Sequence, residues 1–425
     1  MDPIDQLKQD LRDGRLDVDR LLEVIVTLQR QLQAAQQRIE ELEKNAGAAT
    51  AKVEQPFSLR AEEQRQQKRG KHKRKRARKA RRGRLTSADK LKRAERTEPC
   101  FPPGGSAQDC QLSHTRPVWR LENGRAVLIA YEIYRGPHQQ YGRIPGVLGR
   151  SEFGMEIVVE IAYLVYVLGL SFDKVCSTLQ FLENLRVGKT QADRLLHQLA
   201  RHGQDEFDIL CTLLANSLVV HADETSWSIN SVWAFLSEKA RVLLFGVHKD
   251  ADTLEKILDP ATFAGLVISD DAAVYANFCQ SQKCWAHLLR KAIKLTLQEP
   301  ANAEYRVFTD RLLEIYRRAC RVQKEEPVSG TNNEAERTLR GAAAARKSGR
   351  TNKTLTGARR QTVLMSVLES LRVYLPHYTL GTVMAEIERW GRAGQSCFSK
   401  LLKKLKLQAG AASVLDQVFP LPDSS

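Results

Sequence analysis

Asp223, Asp270 and Glu336 are three carboxylates whose local contexts could deliver them to one place. Asp223 follows the apolar run Ser217-Leu218-Val219-Val220-His221-Ala222, and Asp270 follows Gly265-Leu266-Val267-Ile268-Ser269. Short apolar runs rich in β-branched residues read as buried strands, here with an acid at each tip. Glu336 lies in Thr331-Asn332-Asn333-Glu334-Ala335-Glu336-Arg337-Thr338-Leu339-Arg340, a segment of helix-forming composition. Asn332 and Asn333 precede it by four and three residues, on its own helical face. Carboxylates are the hard oxygen ligands that Mg2+ or Mn2+ takes. Two such ions about 3.5–4 Å apart activate an attacking oxygen and stabilise the leaving one at a phosphodiester. Each acid alone reads as readily as a strand end or a solvated helix residue; the three contexts together point to metal.

The neighbours of these acids divide by periodicity. On a strand Asp271 faces away from Asp270, and on a helix Glu334 sits on a different side from Glu336. Cys284 and His287 have the separation of a soft-metal knuckle, but no second pair accompanies them. Packing beside the acids is expected, with His287 reaching a phosphate. Arg337, Arg340, Arg346, Lys347, Arg350 and Lys353 form a basic trail after the third acid. Positioning of a phosphate backbone is its functional reading and a solvated face its plain one.

Strands are expected at about 217–224, 231–237 and 240–247, then a helix near 252–259, the strand before Asp270, and a short strand leading into Cys284-Trp285-Ala286-His287. Three antiparallel strands followed by alternating helix and strand is an RNase H-like order. Helical patterns over His287 to Gln298 and Ala303 to Val322 fill the interval before Glu336. Upstream, 152–201 reads as three helices: Gly154 to Leu168, Phe172 to Leu182 capped by Ser171, and a helix to about Arg201 opened by Thr190 with Asp193 three residues later. Helix, short Gly-containing turn, helix is the arrangement that sets a recognition helix in the DNA major groove, with Arg194, His197 and Arg201 on one side. An ordinary supporting bundle fits the same pattern. Residues 125–135 read as a strand.

The combination of His-Ala-Asp-Glu-Thr at 221–225, Trp233-Ala234-Phe235, Ser269-Asp270 with Tyr275 five residues on, Cys284-Trp285-Ala286-His287, and Asn332-Asn333-Glu334-Ala335-Glu336-Arg337 followed by Arg346-Lys347 resembles the DDE transposases of insertion-sequence family sixty-six. The resemblance covers about residues 150–390. It implies an RNase H-like catalytic core, DNA cleavage and strand transfer at a two-ion Mg2+ or Mn2+ centre, and Asp223, Asp270 and Glu336 as catalytic and metal-binding triad. The Tyr275 offset selects Asp270 over Asp271. Asn332, Asn333 and His287 are then supporting residues, and Arg194, Arg201, Arg337, Arg340, Arg346 and Lys347 contact DNA. The partners implied are element ends and target DNA, further copies of the chain and element-encoded accessory proteins, in a bacterial, nucleoid-associated setting. The helical insertion is shorter than the family's pattern. A DNA-binding remnant without catalysis and an RNase H-like nuclease or resolvase stay open as alternatives.

The 425 residues carry a formal net charge of +16. Twelve Lys or Arg and no acid stand between Lys68 and Arg84, so most of the excess is concentrated there. A concentrated cationic run favours a polyanion partner through counterion release, although a solvated linker or an address signal has the same composition. Val18, Leu21, Ile25, Leu28, Leu32, Ala35, Ile39 and Leu42 step by threes and fours. This is a heptad seam that predicts a homo-oligomeric coiled coil. Cys100, Cys110 and His114 supply three ligands, without the short knuckle of structural zinc, so zinc is not expected. The cysteines follow no disulfide framework, no signal peptide opens the chain, and Ile157 to Leu170 is too short to span a bilayer; a cytoplasmic location is expected. The expected architecture is multidomain: a coiled coil (1–45), a basic disordered linker (46–96), a small Cys-containing β module (97–150), a helix-turn-helix-like domain (151–205), an α/β RNase H-like core with a helical insertion at about 288–330 (206–345), and a basic helical region (346–425).

Overall fold

The computed structural model describes residues 25–27, 29–38, 40–41, 85–322, 330–410 and 412–420. The chain forms two compact units, Met1–Arg84 and Leu85–Ser425. In the first, the described residues are helical, with Ile25, Val26 and Leu32 exposed. Of the heptad seam, Ile25, Leu32 and Ala35 are described; its other positions and the basic run Lys68 to Arg84 lie outside the described residues.

Order in the second unit begins earlier than a disordered linker to residue 96 would allow. Thr86 and Asp89 cap each other's backbone to start α1 (Ser87–Leu91), and β1 (Arg96–Cys100) follows. β2 (Gln111–Glu122) and β3 (Arg125–Arg135) form an antiparallel hairpin, and β1 joins the other edge of β3 in parallel. The hairpin turns on Asn123 and Gly124, with φ of 51° and 75°. Asn-Gly accepts this left-handed pair at little cost, and it is a local hairpin signal between the two strands. Val118, Val127, Ile129, Tyr131 and Ile133 build a small core with Cys100 and Ile144.

Three helices follow. α2 (Met155–Ala162) widens into a π-helical turn over Tyr163–Val167. α3 (Phe172–Glu183) starts where Ser171 accepts the Lys174 N–H. α4 (Lys189–His202) is not opened by Thr190 and Asp193 as a capping box. Gly188 supplies the extended cap, Thr190 falls inside the helix, and the Asp193 carboxylate pairs with the buried Arg360 guanidinium. A further helix, α5 (Gln204–Ala215), follows Gly203 across the expected boundary at 205/206.

A five-stranded sheet lies next in the chain, built from β4 (Val219–Ser226), β5 (Ser231–Leu236), β6 (Arg241–Val247), β7 (Leu266–Ser269) and β8 (Ser281–Lys283). Its order is β6-β5-β4-β7-β8. β4, β5 and β6 are antiparallel neighbours, while β7 and β8 run parallel to β4. This mixed α/β arrangement is compatible with an RNase H-like core. Between β6 and β7, α6 (Ala251–Glu255) is shorter than the helix predicted at 252–259 and is capped by Asp250. α7 (Trp285–Gln298) and α8 (Ala303–Val322) pack on each other between β8 and α9 (Asn333–Lys347), which lies on β4 and β5.

The edge strand β6 is covered by α10 (Leu355–Tyr374). Thr362, Ser366 and Ser370, spaced by four, present hydroxyls along one helical face. They accept the N–H groups of Phe245, Leu243 and Arg241 at 3.0, 2.9 and 3.0 Å. A sheet edge that would otherwise be an open template is thereby satisfied by side chains. α11 (Leu380–Ala393), α12 (Cys397–Lys404) and α13 (Val414–Val418) complete the chain. One apolar cluster runs from Phe153 to Phe419 and includes residues of α2, β5 and α10. The divisions expected at 205/206 and 345/346 therefore do not separate cores: α5 and α10 bury their apolar faces against the sheet and one another. Among the described residues no helix is long and apolar enough to cross a membrane.

Candidate active site

The alternation of β4 sorts its residues onto two faces. Val220, Ala222 and Glu224 are buried, while His221, Asp223 and Thr225 are half-buried on the other side. β4 is paired on both sides, so its position is held by two ladders. His221 stands opposite Ile268 of β7. The ladder ends at that pair, two residues before Asp223 and Asp270, and the Asp270 charge acts on the Asp223 carboxyl. Asp270 follows Ser269, the last residue of β7, and its carboxylate accepts the Ala272 N–H at 3.0 Å. Asp271 turns outward and pairs with Lys291 at 2.9 Å.

Glu336 enters from the first turn of α9, whose packing on β4 and β5 carries it to the same end of the sheet. The helix is anchored by Asn332, which is fully buried. Its side-chain amide donates to the Ala222 carbonyl at 2.7 Å, and its backbone N–H donates to the Cys284 Sγ at 3.2 Å. Glu336 Oε1 lies 3.5 Å from both His287 Nδ1 and Arg290 Nη2. Glu334, on the other side, pairs with Arg241 at 2.7 Å.

Charge accumulates at this place. Burial pushes the Asp223 carboxyl up to about 7, with Glu224 adding to the rise, the Glu224 N–H opposing it, and the charges of Asp270 and Glu336 contributing further. Asp223 on β4 thus feels the charges of the other two carboxylates, which come from the end of β7 and from α9. The neighbouring Glu224 is compensated: Lys249 Nζ lies 2.5 Å from one oxygen and the Tyr275 hydroxyl donates to the other at 2.5 Å. Tyr275 is buried edge-on to Trp233, and burial with the Glu224 charge holds its hydroxyl well above the usual phenol range. Among the described residues Asp223 forms no ion pair, although the Lys249 charge also acts on it and on Asp270. Carboxylate oxygens grouped in this way are the donor type that a hard divalent ion takes.

Residues 150–328 match the model of the transposase IS66 family. Over that stretch the chain is similar to IS66-family transposases. No curated protein matches the chain. The family match takes in Asp223 and Asp270 and ends before Glu336, which is joined to the matched stretch through Asn332, His287 and Arg290.

The remaining sequence-predicted residues fall in separate places. Asn333, Arg337, Arg340 and Lys347 are exposed on α9, whereas Arg346 is half-buried and donates to the Ser226 carbonyl at 2.7 Å, bracing the end of β4. Arg194 and Arg201 are exposed on α4, which packs on α2, α3 and α10. Sequence reasoning missed Glu224, Lys249 and Arg290. Glu224 was visible as the second acid of His-Ala-Asp-Glu-Thr, and strand alternation would have assigned it to the buried face. Lys249 and Arg290 lie in a turn and on a helix with no local mark of their role.

Proposed function

We propose that this protein is a transposase that cuts the DNA ends of a mobile element and joins them to target DNA, using Asp223, Asp270 and Glu336 as a DDE triad on an RNase H-like core. The observation that carries this is the charge of Asp270 and Glu336 acting on the half-buried Asp223 carboxyl, which forms no ion pair among the described residues. Mg2+ or Mn2+ held there as a pair would activate the attacking oxygen and stabilise the leaving oxygen. Asp223 and Asp270 would hold the ions from adjacent strands, and Glu336 from the helix that Asn332 secures. Lys249 keeps Glu224 neutralised, so that the triad rather than the buried acid presents its charge to the ions.

The exposed Arg337, Arg340 and Lys347 on α9 are suited to grip phosphates leading into the site, and Arg194 and Arg201 on α4 to bind DNA in a helix-turn-helix manner. The run from Lys68 to Arg84 adds sequence-independent affinity. Self-association through the N-terminal heptad seam would bring two element ends together, with accessory proteins as further partners. A strand-transfer assay with a 3′-hydroxyl donor tests this. Joined products that disappear with Asp223→Asn, Asp270→Asn or Glu336→Gln, while DNA binding persists, support it. Cutting without joining would make the protein a nuclease, and binding without either would make it a catalytically silent remnant.

A further inference from the structure

Beside the three acids stands a second donor set of different chemistry. Cys284, His287 and Glu336 each bring one ligand atom within 4.8 Å of the other two, the one such group of His, Cys, Asp or Glu among the described residues. Cys284 is the residue at the start of α7 and His287 lies three further on, so one helical turn sets thiol and imidazole on a common side. Glu336 comes from the first turn of α9. The sulfur is buried and held by the Asn332 N–H at 3.2 Å. His287 Nδ1 is buried without a hydrogen-bond partner, although a Glu336 oxygen lies 3.5 Å away. An imidazole nitrogen, a thiol sulfur and a carboxylate oxygen within 4.8 Å of one another, with His287 Nδ1 unsatisfied, is an arrangement that a cation completes.

The donor types choose the cation. Mg2+ takes oxygen and keeps its waters, whereas sulfur and imidazole nitrogen select Zn2+ and its relatives. We infer that Cys284, His287 and Glu336 bind one thiophilic divalent cation of the Zn2+ class. The Cys284 thiol loses its proton to solvent as the sulfur–metal bond forms, and a fourth position stays open to water. Binding does not require Glu336 to be catalytic. If it is, the soft cation and the Mg2+ pair draw on the same carboxylate, and a rise in free Zn2+ would take the third acid from the strand-transfer centre.

Co2+ is the probe, because thiolate–cobalt bonds absorb in the near ultraviolet and tetrahedral cobalt in the visible. Titrating the purified full-length protein should develop both bands, saturating at one Co2+ per chain. Zn2+ should bleach them and excess Mg2+ should not. Cys284→Ser should abolish the near-ultraviolet band, while Cys279→Ser and Cys320→Ser keep it. His287→Ala and Glu336→Gln, at half-exposed positions, should each weaken Co2+ affinity at least about ten-fold. Absence of the bands in the unmodified protein overturns the inference, as does their persistence in Cys284→Ser. Should Cys284→Ser fail to fold, unchanged affinity in both the His287→Ala and Glu336→Gln variants overturns it equally. Asp223→Asn separates the two sites: it should keep the cobalt spectrum whether or not cleavage is lost.

Discussion

The side-chain amide of Asn332 donates a 2.7 Å hydrogen bond to the backbone carbonyl of Ala222. Ala222 immediately precedes Asp223, and Asn332 is the residue from which α9 begins, four before Glu336. One bond therefore fixes the distance between the helix that carries the third acid and the strand that carries the first. Asn332→Ala leaves a buried carbonyl unpaired and should cost about 1–3 kcal/mol in urea unfolding. Cleavage should fall at least about ten-fold more than DNA affinity, since the lost contact acts on geometry at the acids rather than on the DNA surface. Equal losses in both would show that Asn332 supports the fold generally.

Asp270 and Asp271 are neighbours with different surroundings. Asp270 caps its own turn and acts on Asp223, while Asp271 is spent on Lys291 at the surface. Asp271→Asn should leave cleavage within about two-fold of the unmodified protein, because exposed ion pairs contribute little. Asp270→Asn should abolish it. The reverse pattern would reassign the second acid.

The hydroxyl ladder of α10 makes a quantitative test of edge covering. Ser366 both accepts from the Leu243 N–H and donates to the Leu243 carbonyl, at 2.9 and 3.2 Å. Ser366→Ala should lower unfolding stability by about 1–3 kcal/mol, because both backbone groups are buried and lose their partner. Ser366→Thr, which keeps the hydroxyl, should recover part of the loss. A midpoint unchanged in Ser366→Ala would mean that water replaces the hydroxyl there.

Glu206 on α5 is buried, and burial with the nearby Glu386 charge pushes its carboxyl up to about 7, against a hydrogen bond from Ser396. The folded state binds this proton more tightly than the unfolded chain does. Its contribution is therefore full below the ordinary glutamate range near 4.5 and is lost as pH rises through about 7. Glu206→Gln should flatten the fall in stability across that window and leave the variant more stable at pH 8 by about 1–3 kcal/mol. Parallel stability–pH curves for the two proteins would place the proton elsewhere.

Ile25 and Leu32 belong to the N-terminal seam and are exposed, Leu32 by 60%. Lysine at both positions would put unpaired charge into any helix–helix contact. Sedimentation should show the particle mass falling, while the melting of the Leu85–Ser425 unit stays unchanged. An unaltered mass would move self-association to another surface.

Local pattern alone determined where the acids and most of their supporting elements lie. Apolar runs ending in Asp223 and Asp270, the Ser171 cap and the helical periods of α7 and α8 are properties of a few consecutive residues, and consecutive residues decide strand, cap and helix. The Asn123-Gly124 turn was equally local, since only its φ demands were at stake. Other features depend on residues far apart in the chain. Glu224 took Lys249 and Tyr275 while Asp223 was left to its fellow acids; Asn332 found Ala222; Arg360 captured Asp193 from its expected cap; and α10 closed the edge of β6. Cys284 and His287 read as half a knuckle until α9 brought Glu336 against them. These pairings follow from which faces the sheet buries and which helix covers each face. Burial of the shared apolar core decides that for the whole chain at once, and no single segment carries it.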